Sequence, residues 1–115
     1  MERTSAKKWF ASLSENIKQL FLLDIIYGLT LVARDASTNR DVENRLRQLW
    51  IISELTHRLV GYLRSAVAKT VRYPDDVIID ILVDHLERPE LKSNANQVWE
   101  AAVVSANKHG ATPGP

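Results

Sequence analysis

A chain of 115 residues, 45% hydrophobic and 25% charged, has the size and composition of one folded domain. That composition excludes a collagen-like repeat, a low-complexity linker and a disordered chain. The absence of cysteine excludes a disulfide framework, a thiolate zinc site and a cysteine nucleophile. Fifteen basic against fourteen acidic residues, a net charge of +1, remove the simplest argument for a nucleic-acid or membrane-surface partner.

In chain order, Trp9, Phe10, Leu13, Ile17, Leu20 and Phe21 recur at steps of three and four, and predict a long first helix over about 5–34. Its second half, Leu20 to Ala33, has eleven apolar residues in fourteen. Asp24 interrupts the run, which is also shorter than the roughly 20 residues a membrane span needs, so a cytoplasmic location without membrane contact is expected. Residues 35–39 form a polar break in which Ser37, Thr38 or Asn39 can cap the next helix. That second helix, over about 39–71, carries Val42, Leu46, Leu49, Ser53, Thr56, Val60, Leu63, Val67 and Thr70 at alternating steps of four and three. Widened by Ile52, Leu55 and Leu59, this heptad seam reads as the stripe facing the core.

Pro74 in a first turn with Asp75 and Asp76 opens a third helix over about 74–87. Asn94 and Gln97 suggest a capping box for a fourth over about 94–108. The glycine- and proline-rich residues 109–115 read as a disordered tail after a single helical domain, 1–108. The chain is therefore expected to be all-α, a bundle built on a long antiparallel hairpin with two shorter helices.

The short helices look insufficient to cover that hairpin. If the fourth folds back on the third, the apolar end with Phe21, Leu22, Ile25, Ile26, Leu29, Trp50 and Ile51 stays bare, and a second copy must cover it. If instead it extends beyond Pro89 it covers that end, and a monomer can close. All-round apolarity in Leu20 to Ala33 favours the homodimer.

Four constellations could carry chemistry. Asp24, an acid in an apolar helix, needs a partner, and the hairpin puts Arg47, Gln48 and the Trp50 indole within reach. Glu54 and His57 have the Glu-x-x-His spacing of carboxylate-bridged metal bundles, but the chain has no second copy of that motif. Asp76, Asp80, Asp84 and Glu87 form an acidic ridge on one helix face, which invites a counter-charge. Residues 39–73 hold seven basic and three acidic side chains, and residues 74–100 two and seven. Arg58, Arg64, Lys69 and Arg72 are thus the expected neutralisers of the ridge. Arg40, Arg45, Arg47, Arg58 and Arg64 do not share a helix face, which weighs against nucleic acid.

No phosphate loop, nucleophile elbow or zincin motif occurs. The sequence favours a non-enzymatic homodimeric interaction module without cofactor. Its rivals are a metal-binding or hydrolytic bundle using Glu54, His57, Asp80 and Asp84, and a nucleic-acid regulator using the arginines.

Overall fold

The computed structural model describes residues 2–69 and 74–110. Within them the chain is an all-α helical bundle of five helices with no strand: α1 (Arg3–Ser12), α2 (Glu15–Ala36), α3 (Val42–Ala68), α4 (Asp75–Leu86) and α5 (Lys92–Lys108). The proposed disorder of 109–115 concerns a segment of which residues 111–115 lie outside the described residues. The expected second helix likewise ends, at 70 and 71, outside them.

The long first helix is two helices. Leu13 takes an extended conformation (ψ 150°), and Ser14, also extended, caps α2 by accepting a hydrogen bond from the Ile17 N–H at 3.3 Å. Leu13 stays buried through the break, so the apolar rhythm of three and four continues across it and conceals it. α1 is thereby freed from the line of α2 and packs against α4. Its own start is capped by Glu2, whose carboxylate accepts from the Thr4 and Ser5 N–H groups at 2.9 and 2.7 Å.

Other helix starts also differ from expectation. Asp41, rather than Ser37, Thr38 or Asn39, caps α3 by accepting from the Asn44 N–H. Pro74 precedes α4 as its cap residue, and its carbonyl accepts from Val77 and Ile78. α5 begins at Lys92, before Asn94, with no side-chain cap.

α2 and α3 pair as the hairpin, α4 packs on α3 and α1, and α5 lies along α2. The turn into α5 is tied to α3 by the Gln48 amide, which donates to the Glu90 carbonyl at 3.0 Å. α5 thus follows neither expected course. It does turn back after Pro89, but onto α2, with Val98 against Gly28 and the Trp99 ring against Phe21 at 5.2 Å. α2 is long and apolar enough to cross a membrane by length and composition; here its buried residues face α3 and α5.

This arrangement corrects the expected dimer interface. Phe21, Leu22 and Ile25 are 0% exposed, and Leu29 and Ile51 1%, within a single chain. They belong to one continuous core with Phe10, Leu55, Leu59, Ile78, Leu82 and Ala102. Ile26 is half-buried against that core, and Trp50 alone of the seven stands in solvent. Each fully buried aliphatic or aromatic side chain contributes about 1.5–3 kcal/mol, so exposing five of them to form an interface is strongly unfavourable.

Candidate functional site

The residues proposed for metal chemistry are not brought together. Glu54 pairs with Arg58 one turn along α3, and His57 is exposed beside it. Asp80 and Asp84 lie on α4, where α1 meets them. Arg3 reaches Asp80 at 3.0 Å and Asp84 at 2.7 Å, and Lys7 reaches Asp80 at 3.0 Å. The hydrogen bond from Lys7, with that from Arg3, holds the Asp80 carboxyl below its usual range, and Asp84 followed by Asp80 raises the Arg3 guanidinium further. Two of the four ridge acids, Asp80 and Asp84, are paired within the chain by α1, and not by the expected Arg58, Arg64 or Lys69. These three lie on or at the end of α3, where Arg58 pairs with Glu54, and the fourth expected base, Arg72, lies outside the described residues. No group of three histidine or acidic side chains is disposed to hold a metal among the described residues.

A second polar cluster sits inside the bundle. Lys18 is 7% exposed, and its ammonium lies 2.8 Å from Asp75, 3.5 Å from Glu15 and 5.8 Å above the Phe10 ring. Asp75 also accepts the Tyr62 hydroxyl hydrogen bond at 2.9 Å. The lysine stem fills apolar space while its head is paired, which is the arrangement a buried cation requires. This is structural bracing between α2, α3 and α4.

Asp24 does not find the partners expected of it. Arg47 pairs with Glu43, Gln48 bonds Asn39 and the Glu90 carbonyl, and Trp50 stands in solvent. Asp24 turns instead toward α5, on a groove of about 520 Å³ that also involves Gly28, Arg34, Gln97 and Ser105. Its Oδ2 atom is buried without a hydrogen bond among the described residues.

The outer face of α3 is a feature that the core leaves unused. The side chains α3 buries are Ile51, Ile52, Leu55, Leu59 and Tyr62. The predicted heptad seam is therefore displaced from the core by about a third of a helix turn. Val42, Leu46, Val60 and Val67 are 53%, 60%, 39% and 75% exposed, Ser53 is exposed, and Leu49, Thr56 and Leu63 lie half-buried at the inner margin. Trp50, 64% exposed, flanks the strip above a shallow depression formed with Leu46, Arg47, Arg88 and Glu90. The strip runs the length of α3, roughly 40 Å at 1.5 Å per residue. Comparison with protein-family models, curated proteins and solved structures finds no match to this chain.

Two apolar faces thus share one helix. The sequence offered a signal for telling them apart, because the inner set Ile52, Leu55, Leu59, Tyr62 and the outer set Val42, Leu46, Leu49 have different phases around the helix. A shorter exposed set, Leu23, Tyr27 and Leu31, follows the outside of α2. Arg40, Arg45, Arg47, Arg58 and Arg64 form no common surface: Arg47 and Arg58 pair with acids on their own helix, and Arg45 donates to the Asn39 carbonyl.

Proposed function

We propose that the protein is a non-enzymatic helical module that works by association as a homodimer, with the outward face of α3 as its docking strip. The observation that carries this reading is the exposed heptad seam. Seam positions at steps of three and four, apolar except for Ser53 and Thr56, run over about seven turns of a helix whose own core contacts are made mainly by a different face. A soluble surface seldom exposes apolar side chains at both ends of one helix face, Val42 and Leu46 at one and Val60 and Val67 at the other, unless something covers them.

The absence of a catalytic constellation among the described residues points the same way. The candidate metal acids Asp80, Asp84 and Glu54 are paired with bases from α1 and α3, and no nucleophile, base and orienting group converge on one cavity among the described residues. Light scattering over a concentration series tests the reading on the wild type and on a Leu46→Glu/Val60→Glu variant, whose changes fall on exposed positions. The wild type is expected above the monomer mass of 13.0 kDa, and the variant at that mass with unchanged circular dichroism. A wild type that stays at the monomer mass at every concentration overturns it.

A further inference from the structure

Resting on the reading of α3 as the docking strip, we infer that the occupant is a second copy of this chain whose α3 lies antiparallel across the first, in one register fixed by the strip's own charges. In heptad terms Leu46, Ser53, Val60 and Val67 occupy one core position, and Val42, Leu49, Thr56 and Leu63 the other. An antiparallel pair places the two classes opposite each other. Leu46 then faces the partner's Leu63, Leu49 the partner's Val60, Val42 the partner's Val67, and Ser53 the partner's Thr56. Every layer matches apolar with apolar except the central one, where two pairs of hydroxyls meet at the two-fold axis.

The flank decides between the two orientations. On the solvent side of the seam stand Glu43, Trp50, His57 and Arg64, all exposed, whereas the corresponding positions on the other side include Ile52 and Leu59, 5% and 0% exposed within the chain's own core. Only the solvent flank is free to meet a partner. In the antiparallel register that flank faces itself, so Glu43 meets the partner's Arg64 and Trp50 meets the partner's His57, each twice by symmetry. A parallel pair would instead turn this flank toward the partner's buried side, leaving Glu43 with only Arg47 of its own helix as an opposite charge and setting Arg64 against Leu59. The strip is therefore self-complementary in one orientation, which names its partner as another copy and gives the pairing a defined centre.

The chain has no cysteine, so single cysteines report orientation directly. Leu46→Cys alone and Leu63→Cys alone, treated with a short bis-maleimide, should each remain uncrosslinked, because identical positions lie about 25 Å apart along the antiparallel axis. An equimolar mixture of the two should crosslink between chains. Crosslinking of either single variant by itself overturns the antiparallel register while leaving a dimer standing. A protein that sediments as a dimer yet crosslinks in no combination places the dimer on another face and overturns the inference. A monomer in sedimentation overturns the association reading itself. Charge reversal supplies an independent arm: Glu43→Arg or Arg64→Glu should each weaken the dimer about fivefold, and the double variant should restore it. Failure of the double variant to recover overturns the Glu43 to Arg64 match.

Discussion

Gly28 on α2 and Val98 on α5 approach so closely that a β-carbon at residue 28 would stand 3.0 Å from Val98 Cγ1 and 3.3 Å from Cγ2. The glycine lets α5 lie directly on α2, and through that contact it helps bury the apolar side chains that would otherwise need a second copy. Gly61, in the middle of α3, has nothing within 4 Å of the same construction. Alanine at both sites gains helix propensity, about 1 kcal/mol, but only at Gly28 must it displace a neighbour. Gly61→Ala should therefore stabilise by about 0.5–1 kcal/mol. Gly28→Ala should destabilise by about 1 kcal/mol net, recovered in part by Val98→Ala. Urea unfolding midpoints check both signs, and equal effects at the two glycines would contradict the close approach.

The docking of α1 should respond to acid. Glu2 caps that helix, and its hydrogen bonds from Ser5 and Thr4 lower its pKa from 4.5 to about 2. Asp80, which receives Lys7 and Arg3 from α1, is lowered as well. A depressed carboxylate binds fewer protons in the folded chain than in the unfolded one, so its contribution is present above about pH 4.5 and is lost as the pH falls toward 2. Amide protection in residues 3–12 should accordingly disappear across that window before protection in α2 and α3. Glu2→Gln should lower α1 protection at neutral pH and flatten its dependence on acid. Simultaneous loss in all the helices would show that α1 is not a separately held element.

Asp24 should contribute to stability with the opposite sign from the apolar side chains around it. Its Oδ2 atom is buried and accepts no hydrogen bond among the described residues, and an unsatisfied polar atom costs on the order of 1–3 kcal/mol. Asp24→Leu should raise stability by about 1–2 kcal/mol in a urea melt, since the substitution keeps the same branching and the groove beside Val98 and Gly28 has room for the larger methyl groups. A melting midpoint lowered by the substitution would mean that the carboxylate is satisfied in solution.

Much of the framework was legible in the residues themselves. The helicity of α3, α4 and α5, the polar break at 35–39 and the punctuation at Pro74 and Pro89 are local properties that the residues and their spacing carry directly. The division of the first arm was less visible. Ser14 followed by Glu15 is a cap signal, but Leu13 kept the apolar rhythm unbroken across it.

By itself the sequence determined that the chain is helical, that a broad apolar stripe runs along α3, and that its bases and acids are segregated along the chain. Periodicity records which residues share a face, but not which face meets the core. That choice depends on where the other helices come to lie, a tertiary matter. Here α5 lies back along α2 and α1 crosses α4, so Phe21, Ile25 and Ile51 are covered from within, while Val42, Leu46, Val60 and Val67 are left outside. The same packing gave the acidic ridge its bases from α1, because charges distant in sequence find each other only when the elements carrying them are brought into contact.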